Sequence, residues 1–148
     1  MSKRILKFVK LRENVLVPKK ATSGSAGFDL HACLENDVSI SFGGLVKIPC
    51  GIAVEIPEDY VGLIFARSGL GIKYGIMPSN GVGVIDSDYR GEIHVGLCKT
   101  FDGPEYIIKN EDRIAQLIII KAKDFEIQET EDLSVTERDD KGFGSSGR

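Results

Sequence analysis

The sequence predicts an all-β protein, a jelly-roll-like β-sandwich with at most one short helix. Three observations lead there. Short runs of branched and aromatic residues alternate with polar ones at a period of two, the spacing of half-buried strands. Gly, Pro, Asn and Asp punctuate those runs at short intervals. Only the stretch after Arg67 offers a helix start. Many short strands joined by frequent turns belong to sandwiches and jelly rolls.

The bulk properties fit one globular domain. A chain of 148 residues is long enough for a real core, and 42% hydrophobic with 28% charged residues is ordinary for a soluble protein. A net charge of -3 and a pI near 5.4 argue against broad nucleic-acid binding, so any phosphate site must be local. Cys33, Cys50 and Cys98 form no C-x-x-C pair, and His31 and His94 are the only histidines. Those counts disfavour a zinc site and a disulfide framework. No apolar run approaches a membrane span, and Lys7 and Lys10 interrupt the one that follows Lys3-Arg4. The expectation is a cytoplasmic or otherwise intracellular protein with no nucleic-acid and no membrane partner.

Taken in order, residues 5–11 read as a first strand and Val15-Leu16-Val17 as a second, halted by Pro18. Residues 19–27 form a polar Gly- and Ser-rich loop, and residues 28–33 alternate again. Asp29 stands where that loop enters its strand, a common place for a functional group. Residues 38–42 alternate before Gly43-Gly44 turns the chain. Residues 46–56 carry the longest period-two row in the protein. After a turn at 57–60, residues 61–66 make another strand. Arg67-Ser68-Gly69-Leu70-Gly71 breaks it with a cation, a hydroxyl and two glycines, and Ser68 is placed to cap a short helix running to Lys73.

Residues 80–92, NGVGVIDSDYRGE, organise the rest. Val82 and Val84 alternate with Gly81 and Gly83, which leaves one strand face bare where a flat ring can lie against the backbone. Asp86 to Gly91 is dense in turn formers, and residues 92–97 alternate once more. The pattern is a β-hairpin whose tip holds two carboxylates, a phenol and a guanidinium. Such a tip is either a solvated turn or a site. Asn80, a two-sided hydrogen bonder, shares strand parity with Asp86.

Residues 106–108 read as a short strand between turns. Residues 113–121, RIAQLIIIK, are strongly β-prone. Gln116 is the one polar group inside that row, either satisfied structurally or functional. Residues 123–130 read as the last strand. From Glu131 the composition turns acidic, then Gly- and Ser-rich around Phe143, Ser145 and Ser146. That tail is either a disordered terminus or a flexible arm that closes over a ligand. The division is a body over 1–130 and an arm over 131–148.

Five segments in order resemble the signature motifs of the trimeric dUTP pyrophosphatases, the dUTPases. They are Ala26-Gly27-Phe28-Asp29-Leu30, Ala66-Arg67-Ser68-Gly69-Leu70, the GVIDSDYRGE hairpin, Glu111 through Leu117, and Arg138 through Gly147. Ala66 stands where the family carries Pro, and Asp139-Asp140-Lys141 where it often carries G-x-G. The resemblance implies a jelly-roll homotrimer with active sites between subunits. It implies hydrolysis of dUTP to dUMP and pyrophosphate with Mg2+, Asp86 being the base that activates the attacking water. It further implies Tyr89 against the deoxyribose, and Asn80 with backbone near Gly83 on the uracil edge. Arg67, Ser68, Gly69 and Gln116 match phosphate or metal-water positions, with Asp29 and Gln116 reaching the metal through water. Arg138, Phe143, Gly144, Ser145 and Ser146 match the closing arm. Two rivals stand beside this: a dCTP deaminase-like enzyme on the same fold, and a non-catalytic trimeric nucleotide-binding regulatory module. Ammonia release from dCTP would mark the first. Loss of Asp86 or of the arm would have marked the second.

Overall fold

The computed structural model describes residues 4–137 and 139. It contains eleven strands and one helix in these residues: β1 (Lys7–Lys10), β2 (Phe28–His31), β3 (Val38–Ile40), β4 (Leu45–Pro49), β5 (Ile52–Glu55), β6 (Tyr60–Phe65), α1 (Ser68–Tyr74), β7 (Ile76–Pro78), β8 (Gly83–Ile85), β9 (His94–Lys99), β10 (Tyr106–Ile108) and β11 (Arg113–Lys121). The pairings between named strands are antiparallel. The largest sheet has the order β2-β11-β6-β8, a second has β4-β9-β7, and the pairs β1-β5 and β10-β3 complete the set. Spatial neighbours distant in sequence, such as β2 and β11, give the all-β jelly-roll architecture that the strand pattern predicts.

One core joins the sheets. Leu30, Ile40, Ile48, Leu97, Ile108 and Leu117 are 0–1% exposed and belong to a single cluster of buried residues. Each such side chain stabilises the fold by roughly 1.5–3 kcal/mol relative to an exposed one. Among the described residues no helix is long and apolar enough to cross a membrane.

Several local expectations need correction. The long row over 46–56 is broken at Cys50-Gly51, because the chain changes sheets there: β4 pairs with β9, whereas β5 pairs with β1. Gly51 has φ +67, and a Cβ on it would come within 2.5 Å of Val15 and 2.8 Å of the Cys33 Sγ. Residues 15–17 form no strand; Val15 plugs that corner instead. The strand β7 was not foreseen. Ser68 does not cap the helix. Arg67 occupies the N-cap with extended φ/ψ and no side-chain cap, and Ser68 is the first helical residue. The helix ends at Gly75 in the left-handed region, where Phe101 leaves no room for a side chain. Residues 123–130 form no strand, since no edge of this single chain pairs with them; Phe125 and Ile127 are 77% and 96% exposed.

The hairpin over 80–97 is real only at its base. Pro78 lies opposite Leu97, and the Ser79 N–H donates to the Gly96 carbonyl at 2.8 Å. Beyond that point the legs part. β8 joins the large sheet beside β6, while β9 pairs with β4 and β7.

Candidate active site

The first cluster is built on the face shared by β2 and β11. Asp29 and Gln116 lie directly opposite each other in register. Gln116 also faces Phe65 of β6, and its Nε2 donates to the Ala66 carbonyl at 2.9 Å. Its Oε1 lies 2.9 Å from where a Cβ on Gly27 would be, so only glycine admits the amide in this position. The Ala26-Gly27 motif therefore has a packing cause: it makes room for the glutamine of a distant motif.

Asp29 is charged from two sides. Arg67 donates through Nε at 3.0 Å and Arg113 through Nη1 at 3.4 Å, while the Asp29 side chain is only 15% exposed. Arg113 was missed by sequence reasoning. A regular strand puts residues 113 and 116 on opposite faces, because their separation is odd. The ladder slips between Arg113 and Ala115, and this β-bulge turns Arg113 onto the face of Asp29 and Gln116. No period-two reading can locate such a bulge. Ala21, Ser25, Gly27, Asp29, Arg67, Ser68 and Gln116 line one cleft of about 150 Å³. Ser68 and Gly69 are exposed at its rim, at the start of α1. His31, two residues from Asp29 on β2, is held below its ordinary pKa chiefly by burial, with Asp29 opposing that shift.

The second cluster lies where the hairpin legs separate. Lys47, Val84, Ile85, Asp86, Tyr89, Glu92 and His94 line a cavity of about 260 Å³. Among the described residues the Asp86 carboxylate has no ion-pair partner. Its backbone carbonyl accepts from the Tyr89 N–H at 3.2 Å, closing the turn. The Tyr89 ring folds over Gly91, where a Cβ would lie 2.3 Å from the phenol oxygen, and its hydroxyl donates to the Glu92 carbonyl at 3.0 Å. Arg90 Nη1 donates to the Ser87 and Tyr89 carbonyls at 2.6 and 3.0 Å, bracing the same turn. Lys47 and His94 also went unforeseen, since each reads as an outward position of an ordinary strand.

Asn80 and Gly83 do not line that cavity. Asn80 is exposed in a tight turn, in which the Val82 N–H donates to the Asn80 carbonyl across Gly81 at φ +73. The face left bare by Gly83 is filled by the Ile64 side chain, 3.1 Å from an added Cβ. Arg138, Phe143, Gly144, Ser145 and Ser146 lie outside the described residues.

The two clusters share no lining residue, and β6 measures their separation. Ile85 lies opposite Gly62, so Asp86 falls level with Val61. Arg67 lies six residues further along an extended chain, roughly 20 Å away at ~3.3 Å per residue. One cluster is a cationic cleft with an amide and hydroxyl; the other is an acid beside an aromatic ring.

Comparison with known proteins places this geometry. The dUTPase family profile matches residues 13–147. The deoxyuridine 5'-triphosphate nucleotidohydrolase of Desulfitobacterium hafniense is 47% identical over 132 residues, 88% of this chain and 87% of its own. That of Finegoldia magna is 46% identical over 136 residues, 92% and 94% of the two chains. The solved dUTPase of Staphylococcus bacteriophage 80alpha, described with dUPNHPP, superposes with a TM-score of 0.84 at 28% identity, covering 99% of this chain and 100% of that one. A dUTPase variant from phage phi11 of S. aureus, described with a structural Mg(II) ion, gives a TM-score of 0.80 at 24% identity over 89% of this chain, a likeness of fold. With the motifs, the fold and the family profile in agreement over nearly its whole length, the chain belongs to the dUTPase family.

Proposed function

We infer that the chain hydrolyses dUTP to dUMP and pyrophosphate, keeping uracil out of DNA and supplying dUMP for dTMP synthesis. Asp86 is the general base in this reading. An ionised carboxylate takes a proton from the water that attacks the α-phosphorus, and the bond from that phosphorus to the bridging oxygen breaks. The observation that carries the reading is the split hairpin: Asp86, without an ion-pair partner among the described residues, lines the same cavity as Tyr89. Tyr89 packs on the deoxyribose and leaves no room for a 2'-hydroxyl. Asn80, exposed in its turn outside that cavity, and the backbone near Gly83 read the uracil edge from beyond it, since Ile64 fills the bare face of Gly83 itself. A slot that reads hydrogen bonds rejects cytosine, and a close fit rejects the 5-methyl of thymine.

At the other cluster, Arg67, Ser68, Gly69 and Gln116 hold phosphate oxygens, and Arg113 adds a second cation. Among the described residues no group of three acidic, His or Cys side chains can cage a metal. That fits Mg2+, which keeps its waters and is held mainly by phosphates, with Asp29 and Gln116 orienting those waters. When bound, magnesium neutralises phosphate charge as it develops on the leaving group.

The base and the phosphate ligands must meet at one α-phosphorus, yet a single chain holds them roughly 20 Å apart by the strand rise. A homotrimer in which one subunit's Asp86 faces another's Arg67 removes the conflict. The exposed Phe125, Ile127, Leu133 and Val135 supply apolar surface for such contact. Residues 1–130 form the body and 131–148 the closing arm. Arg138 meets phosphate, Phe143 covers the uracil, and Gly144, Ser145 and Ser146 close on the terminal phosphate. A nucleotide substrate of this kind supports reading the protein as cytoplasmic or otherwise intracellular. The test is pyrophosphate release from dUTP, dCTP, dTTP and UTP measured in parallel with magnesium. Release from dUTP alone is expected. No release from dUTP, with binding retained, would remove the enzymatic reading.

A further inference from the structure

The Tyr89 phenol owes its position to a residue outside the turn that carries it. Its hydroxyl donates to the Glu92 backbone carbonyl at 3.0 Å, and the ring rests on Gly91. The same carbonyl lies 3.1 Å from the His94 Nδ1, so the Glu92 peptide is a shared anchor for the phenol and the imidazole. The Glu92 side chain is in turn fixed to a different part of the fold. Its Oε1 accepts from the Gly51 N–H at 2.9 Å and its Oε2 from Arg12 Nη2 at 3.1 Å, while Arg12 Nη1 stands 2.9 Å from Oε1 as an ion pair. The guanidinium thus lies against both carboxylate oxygens, with one charge-assisted hydrogen bond between them. The Glu92 side chain is 17% exposed and that of Arg12 47%, so solvent screens the pair from the guanidinium side.

Both anchors are tied to the same corner of the fold. Gly51 sits at the corner where the chain changes sheets, packed against Val15 and Cys33 so closely that no side chain fits. Arg12 follows Leu11, whose N–H donates to the Gly51 carbonyl at 2.8 Å, and Arg12 Nη1 also donates to the Cys33 Sγ at 3.2 Å. Arg12 itself lies outside the cavity that holds Asp86 and Tyr89; it lines a separate one with Cys33 and Asn110.

We propose that Glu92, clamped by Arg12 and the Gly51 N–H, is a positioning residue that sets the height of the Tyr89 ring and thereby the rejection of ribonucleotides. The inference rests on the reading of Tyr89 as the group that packs on the deoxyribose. A 2'-hydroxyl is a single oxygen, so a small displacement of the ring admits it. Loss of the clamp therefore changes the choice between sugars more than it changes the chemistry at phosphorus.

Arg12→Met tests this, because it removes the guanidinium, keeps the side-chain length and changes a residue that reaches the substrate cavity only through Glu92. The quantity read is kcat/KM for UTP divided by that for dUTP. An increase of about tenfold in the ratio is expected, a size ordinary for discrimination over one small group. Arg12→Lys, which restores a charge without the fork, is expected to fall between wild type and Arg12→Met. Circular dichroism establishes folding first. Where Arg12→Met does not fold, Glu92→Gln carries the test, since its amide oxygen still accepts from Gly51. Tyr89→Ala separates the two ideas. If Tyr89→Ala leaves the ratio unchanged, the assignment of Tyr89 to the sugar is wrong. If Tyr89→Ala raises the ratio and the folded clamp variants do not, Tyr89 stands and the positioning role falls. Equal losses on both substrates in the clamp variants overturn the positioning role as well.

Discussion

The two ends of β6 treat charge in opposite ways. At one end Asp29 is 15% exposed and already shared by Arg67 and Arg113. At the other, Asp86 has no ion-pair partner among the described residues. The first arrangement is a set of cations parked on an acid, ready to accept phosphate oxygens without large reorganisation. The second leaves a carboxylate whose lone pairs are not committed. On the proposed reading this is the division a hydrolase of triphosphates requires. Groups that bind charge are preorganised by one another, and the group that takes the proton is kept free.

Breaking the second end should cost most. Asp86→Asn is expected to lower kcat by about 10²–10⁴-fold while dUTP still binds and the fold is unchanged, because no partner loses its charge. Pyrophosphate release with binding calorimetry checks this, and undiminished turnover would remove Asp86 as the base. Next in size is truncation. A chain ending before Lys141 is expected to keep its assembly and lose most of its activity; if sedimentation shows the assembly gone, the tail is structural.

A mixing experiment sharpens the comparison itself. Asp86→Asn and Arg67→Ala chains, each inactive alone, are refolded together in equal amounts. If the two ends that work together come from different subunits, about a quarter of the sites are intact and activity returns to that level. If both come from one chain, no mixture recovers. The smallest effect belongs to the first end. Gly27→Ala drives a methyl against the Gln116 amide, 2.9 Å from its Oε1. A stability loss of about 1–3 kcal/mol by denaturant unfolding is expected, as for other overpacked sites. A neutral result would mean Gln116 has room to move and is not locked by the first motif.

Much of this was legible from residue order. The strand over 28–31 follows from alternation, those over 60–65 and 106–108 from the turns that bound them, and that over 113–121 from its branched residues. Asp29 and Gln116 were singled out as a loop-edge acid and a polar residue in an apolar row, and they turn out to be register partners. Arg113 was not legible, since a bulge inverts its face and bulges leave no periodic trace. Nor was the division of 80–97 between two sheets. Alternation reports that one face is covered, and says nothing of which strand covers it. The same blindness hid the corner at Gly51, where an unbroken row of apolar residues conceals a change of partner. Residues 123–130 failed in the converse way: they carry a strand pattern, but they pair with no strand of the single chain.

The sequence alone determined the fold class and the five motifs, because those depend on side-chain type and local spacing. The tertiary structure decided which of those residues meet. It put Asp29, Arg67, Arg113 and Gln116 on one face through register and a bulge, and it carried Asp86 to the far end of β6. It also tied Glu92 to Arg12 across a separation of 80 residues. Pairings of that range are fixed by packing and strand order over the whole core, which no local pattern encodes.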